Sequence, residues 1–186
     1  GVVFGIPALF HLGKKFKKSK DEPISKTYIK KHTRINEYLT ELRVKLDAAR
    51  THVVRFHNGG SYSDGPSMKK FSITHESCVD GIRETQAERQ NNLLTLYSDF
   101  LDKAYLDNSK PVLTSTLTPS HFKRTLESNT VLMFSVLPLR GLKQNIVGAV
   151  VVEWCNWNKV DEIDFVKVRE ELTDIRRYIE AQMEAK

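Results

Sequence analysis

The side chains able to do chemistry gather between Arg55 and Cys78, where Arg55-Phe56-His57-Asn58-Gly59-Gly60 is followed by Phe71-Ser72-Ile73-Thr74-His75-Glu76. His57, His75, Glu76 and Cys78 are all metal-ligand types, but the sequence has no C-x-x-C or H-x-x-x-H pair. On a regular strand His75 and Glu76 point to opposite faces, and Glu76 shares its face with Cys78. The four do not converge, so no metal and no cofactor is expected. Thiol chemistry would fall to Cys78, or to Cys155 beside Trp154 and Trp157. No basic pair flanks either thiol to lower its pKa, and both read as reduced packing cysteines. A thiol reductase would instead lose all turnover on Cys78→Ser or Cys155→Ser. Asn58-Gly59-Gly60 lacks the G-x-x-x-x-G-K frame of a phosphate loop and reads as a hairpin turn. His57 and His75 are left as hydrogen-bonded residues at a core edge, with Glu76 bonding a loop or pairing with Arg55 or Arg83.

The elements that must position these groups follow from periodicity. Thr51–His57 reads as a strand, Ser61–Lys70 as an exposed loop, and Phe71–Glu76 as a strand with Phe71, Ile73 and His75 on one face. Arg83–Arg89 is helix-compatible, and Leu93–Leu106 carries Leu94, Tyr97, Leu101 and Tyr105 at helical spacing. Pro111–Thr114 is a short strand or edge, and Pro119–Leu126 a short helix. The two apolar runs Val131–Leu139 and Ile146–Trp154 form a hairpin that is apolar on both faces, which places it at the centre of a sheet covered by helices. Gly148 leaves room there for a close helix or backbone. Ser25 or Thr27 caps a helix with an apolar stripe of Ile35, Leu39, Leu42 and Leu46; the closing helix, Val160 to about Glu184, repeats it with Phe165, Val168, Leu172, Ile175 and Ile179, capped at Asn158. Each stripe could pair with its twin in a dimer or lie on the sheet of its own chain.

The phrase Ser135-Val-Leu-Pro138-Leu139, a polar turn, then Ile146-Val-Gly148-Ala-Val-Val-Val and a long closing helix resembles the end of a GAF domain. The resemblance, covering Thr51 to the C-terminus, implies an α/β (α+β) sensor fold: a central antiparallel sheet of five to six strands flanked by helices. It also implies a small-molecule pocket between the sheet and the connections Ser61–Lys70 and Leu94–Thr118, lined by Phe56, His57, Tyr62, Phe71, Thr74, Glu76 and Tyr97. That pocket either binds a nucleotide-like ligand or is filled by these side chains. Phe56-His57-Asn58-Gly59, Phe71-Ser72 and His75-Glu76, with the apolar and basic N-terminus, resemble membrane-anchored GAF-like proteins of tailed bacteriophages and bacteria.

The 186 residues suit one domain with an appendage, and 28% charged with 40% hydrophobic residues excludes both general disorder and a multi-span membrane protein. The net charge of +6 is localised: Gly1–Arg34 holds nine basic and two acidic residues, a surplus of seven, so everything after Arg34 nets −1. A domain without a basic surplus is a poor polyanion binder, and no nucleic-acid partner is expected. Gly1–Gly13 is apolar apart from His11 and reads as the end of a membrane-seated helix, with Lys14, Lys15, Lys17, Lys18 and Lys20 at cytoplasmic headgroups. Residues 1–20 are thus a membrane-associated segment, 21–50 a linker and amphipathic helix, and 51–186 the GAF-like domain. The sequence points to a non-catalytic, cytoplasm-facing, homo-oligomeric binding and assembly module whose signal passes to a partner. The alternatives are a small-ligand sensor, and a place within a virus particle.

Overall fold

Ser25 starts the first helix by accepting from the Tyr28 N–H at 3.0 Å, and α1 then runs over Lys26–Lys45. Arg43 and Lys45 in its last turn complement the helix dipole. Asp47 then adopts a positive φ of 48° and turns the chain into the sheet. A computed structural model describes residues 23–184; the expectations for Gly1–Gly13 and Lys14–Lys20 lie outside them. Among the described residues no helix is long and apolar enough to cross a membrane.

The fold is an α+β arrangement around a six-stranded antiparallel sheet in the order β3-β2-β1-β6-β5-β4. Its long strands are β1 (Arg50–Ser61), β2 (Ser67–Cys78), β5 (Met133–Arg140) and β6 (Ile146–Trp154). The two-residue strands β3 (Asn92–Leu93) and β4 (Val112–Leu113) close its edges. The expected hairpin forms, with β6 at its expected bounds and β5 starting two residues later and ending one later than the apolar run Val131–Leu139, and β6 is flanked by β1 and β5. Apolar side chains leave this centre in both directions. Val53, Leu137, Leu139, Val150 and Val152 pack under α1 and α5 (Phe165–Glu184). Val54, Phe134, Val136, Ala149 and Val151 pack under α2 (Ser98–Leu106) and α3 (His121–Ser128). Both terminal helices therefore bury their stripes, Ile35, Leu39 and Leu42 on α1 and Val168, Leu172, Ile175 and Ile179 on α5, within their own chain.

Several local expectations are corrected. Asn58-Gly59-Gly60 lies inside β1; the turn is Tyr62–Pro66, closed by Tyr62 N–H to Pro66 C=O at 2.8 Å and by Gly65, whose φ of +107° suits glycine. The loop expected over Ser61–Lys70 is therefore partly strand, because β2 begins at Ser67. Arg83–Arg89 forms turns and no helix. The Leu93–Leu106 stretch is interrupted by β3 and a 3₁₀ turn at Leu94–Leu96, so the helix starts only at Ser98; Tyr97, Phe100 and Ala104 are buried while Tyr105 is exposed. Asn156, not Asn158, caps the short α4 (Trp157–Val160), and Asp164 caps α5 by accepting from Val166 and Lys167 N–H.

Gly148 stands against backbone, as expected. A Cβ there would lie 2.1 Å from the Val54 carbonyl oxygen, deep between β1 and β6, where nothing flexible can yield. Gly148→Ala is expected to cost about 2–3 kcal/mol of stability through overpacking. Urea unfolding should show a lower midpoint at unchanged m; an unchanged midpoint would mean that the central pair parts freely.

Candidate functional site

The pairing of β1 with β2 contains an irregularity that rearranges the predicted site. Val53 stands opposite His75 but Val54 stands opposite Ile73, so Thr74 is an extra, bulged residue. The bulge turns His75 away from Phe71 and Ile73, which the alternation had grouped with it. His75 instead meets α1, where its Nε2 lies 2.7 Å from Nδ1 of His32 and the two rings stack at 4.9 Å. Glu76 in turn joins the face of Phe71 and Ile73, under α2 and α3.

On that face Glu76 meets a buried cluster of ionisable groups made by the β1 and β6 ends. Arg50 and Glu153, directly opposite across the two strands and each 1% exposed, form an ion pair. Arg50 also donates to the Arg83 carbonyl at 2.7 Å and holds Glu76 at 3.8 Å. Arg89 pairs with the other Glu153 oxygen at 3.5 Å. Glu76 accepts from the Thr85 N–H at 2.7 Å, the Thr85 hydroxyl at 2.6 Å and the Gln86 N–H at 3.1 Å, pinning the Arg83–Arg89 turns to the sheet. Two guanidinium groups thus face two carboxylates, with His52 opposite Glu76 among them. Burial pushes His52 down to about 4, so it is neutral at pH 7. Burial alone would raise the Glu153 carboxyl, but His52, Arg89 and Arg50 outweigh it and hold it below the ordinary range. Among the described residues, His52 Nδ1 and Arg89 Nη2 are buried with no hydrogen-bond partner.

Those two residues border a cavity of about 20 Å³ between the sheet and α2 and α3. Its remaining walls are chiefly Phe71, Tyr97, Phe100 and Phe122, with Tyr97 edge-on to Phe71 at 4.7 Å. The space suits a single water and nothing larger. Of the seven residues predicted to line a pocket, Phe71 and Tyr97 do so, Phe56 packs against the same apolar cluster, and Glu76 lies in the polar cluster beside it. The other three do not converge there: His57 bonds Ser72 at 2.9 Å, Thr74 is the bulge, and Tyr62 is exposed at the β1–β2 turn. An open cleft of about 530 Å³ beside β4 is lined by Lys103, Asn108, Lys110, Thr116 and Phe165, with none of the seven. Among the described residues no three metal-ligating side chains converge. Burial and then Glu76 push the Cys78 thiol up to about 11, and burial and then Glu153 push Cys155 up, the opposite of thiolate activation.

Arg50, His52, Arg89 and Glu153 were not among the predicted site residues. Their signal was nonetheless present: Arg50 and His52 open one apolar strand and Glu153 interrupts another, Ile146–Trp154, where a charge survives only if paired.

No protein-family model and no curated protein matches the sequence. Solved structures do match its shape. The blue-light absorbing form of the PixJ GAF domain of Thermosynechococcus elongatus is 14% identical, covers 84% of this chain and 91% of its own, and superposes with a TM-score of 0.52. A phycoerythrobilin-bound GAF domain from a cyanobacterial phytochrome, also 14% identical, covers 87% and 96% with a TM-score of 0.55. The chromophore-binding domain of the bacteriophytochrome RpBphP3 from R. palustris is 11% identical and covers 82% of this chain and 54% of its own, with a TM-score of 0.58. The fold is GAF-like.

The buried cluster makes two predictions. Glu153→Gln, which leaves Arg50 and Arg89 facing Glu76 alone, should cost about 3–5 kcal/mol in chemical denaturation; a neutral result would show that the pair is dispensable. His52 and His75, the latter also lowered to about 4 by burial and then by His32 and Arg55, have folded-state values below the ordinary 6.5. The unfolded chain binds more protons in this window, so their contribution is present above pH 6.5 and lost as pH falls toward about 4. Melting temperature should fall across that window, and less steeply in His75→Asn; identical slopes would remove His75 from the account.

Proposed function

We propose that the chain is a non-catalytic GAF-like binding module that responds to a small polar-headed aromatic ligand. The observation that carries this reading is the juxtaposition of unpartnered His52 Nδ1 and Arg89 Nη2 with an aromatic wall. A planar ligand entering between Phe71 and Tyr97 would find both a stacking surface and two buried hydrogen-bonding nitrogens, one of them on a guanidinium. Nucleotides and other heteroaromatic acids fit that description. The cavity as it stands is too small for one, so binding requires α2 and α3 to move outward, and this motion is the response. The phycoerythrobilin-bound GAF domain is an instance of the same fold carrying a small molecule.

A second role is assembly at a membrane. Its support is the lysine cluster Lys14–Lys20 after an apolar segment, together with the antiparallel α1–α5 pair, whose outer surface leaves Ile29, Val44 and Tyr178 exposed. On this reading the module sits on the cytoplasmic side of a membrane, or within a virus particle, as a homo-oligomer whose subunits meet along these helices.

Thermal-shift screening of the purified chain against nucleotides should find a ligand that raises the melting temperature. Arg89→Met, which keeps bulk but removes the donors, should weaken that ligand at least about tenfold, since hydrogen bonds to charged groups contribute about 1.5–3 kcal/mol. A set of ligands with no shift, or equal binding to the variant, would sink the sensor reading. Light scattering should give a multiple of the chain mass, reduced by Ile29→Glu with Tyr178→Glu; a monomer at micromolar concentration would end the oligomer reading.

A further inference from the structure

Antiparallel pairing sends the β1–β2 and β5–β6 turns to the same end of the sheet. Arg55 of β1 lies opposite Gly148 of β6, β1 runs on from there to its turn, and β6 has just left its own. Two contacts bring helix ends to the same place. Glu180 of α5 accepts from the Arg140 N–H at 2.8 Å, and Lys31 of α1 donates to the Met183 carbonyl at 3.3 Å. The start of α1, the end of α5 and both turns therefore share one end of the molecule, with Pro23 beside them.

The surface there is not that of an ordinary solvated end. Leu142 at the β5–β6 turn and Ile24 before α1 are the two most exposed large apolar side chains among the described residues, at 81% and 77%. Lys30, Lys69 and Lys143 are exposed at this end, Lys69 donating to Asn58 Oδ1 at 2.8 Å, and the exposed acids there include Asp64 of the β1–β2 turn and Glu184 of α5. At the opposite end the exposed charges are mainly acidic, including Asp80, Glu84, Asp161 and Glu162. Apolar tips at the same end as these lysines match the boundary of an anionic bilayer, where the lysines meet headgroup charge while the tips enter the acyl edge. A nucleic acid would engage the lysines and leave Leu142 and Ile24 in water.

We propose that this end of the domain docks on an anionic lipid bilayer, seated by Leu142 and Ile24 and held by Lys30, Lys69 and Lys143. The surface deepens the membrane reading above, but it is built wholly from described residues and is separate from Lys14–Lys20. It sets an orientation: both turns face the lipid and the acidic end faces away.

The test uses the full chain carrying Cys78→Ser and Cys155→Ser, with one dye-labelled cysteine introduced as Leu142→Cys or, at the far end, as Glu84→Cys. An environment-sensitive dye at position 142 should shift to the blue with phosphatidylserine-containing vesicles and not with pure phosphatidylcholine; the dye at position 84 should not respond. Each lysine near an anionic surface raises partitioning on the order of fivefold, so K30Q/K69Q/K143Q should weaken the response on the order of a hundredfold. Replacing Lys14, Lys15, Lys17, Lys18 and Lys20 with Gln separates the two readings. A response at 142 that survives those replacements supports the docking surface even if the N-terminal anchor fails. Co-sedimentation with vesicles but a silent dye at 142 overturns the docking surface and leaves the anchor standing. Equal responses at 142 and 84, or tight binding of duplex DNA through the same three lysines without a vesicle response, also overturn it.

Discussion

Arg50 and Glu153 are buried side by side across the two central strands, and that pairing fixes how β1 and β6 can be aligned. Each charge is costly away from water unless its partner is in place. Sliding β6 by one residue would move Glu153 to the face of α1 and α5, away from Arg50, and would also turn every apolar side chain of the strand over. Gly148 reinforces the same register by permitting the Val54 carbonyl to approach where any other residue would obstruct it. Glu153 and Gly148 sit five residues apart on β6, one constraint electrostatic and one steric, and they demand the same alignment.

The bulge at Thr74 couples the two faces of the sheet. By adding one residue to β2, it delivers Glu76 to the ionisable cluster under α2 and α3 and His75 to α1 on the other side. Adjacent residues of β2 thus tie the Arg83–Arg89 turns to one face of the sheet and α1 to the other. The tie at each end is specific: a carboxylate holding Thr85 and Gln86 on one face, and a histidine pair on the other.

What was legible in the sequence follows from patterns that depend on near neighbours alone. Two-sided apolarity in Val131–Leu139 and Ile146–Trp154 required a covered central hairpin, and the Ser25 cap and the stripes of α1 and α5 required amphipathic helices. The site was only half legible. The resemblance to a GAF domain implied a pocket wall that included Phe71 and Tyr97, and both border the small cavity. Grouping His75 with Ile73 failed because strict alternation assumes a regular ladder, and a bulge is decided by the partner strand. Asn58-Gly59-Gly60 was read as a turn from its composition, yet β1 continues through it because β2 is there to pair with it.

The sequence by itself therefore determined the two amphipathic terminal helices, the centrality of the hairpin and the concentration of positive charge in the first 34 residues, all properties of short windows and their solvation. Tertiary structure alone decided which charges meet. Arg50 and Glu153 are 103 positions apart, and Glu76 and Arg89 join them only once three strands and a set of turns have assembled. It likewise decided that two turns and two helix ends share one face with Leu142 and Ile24. Such convergence arises from strand order and chain direction, which set distances between residues that no local pattern connects.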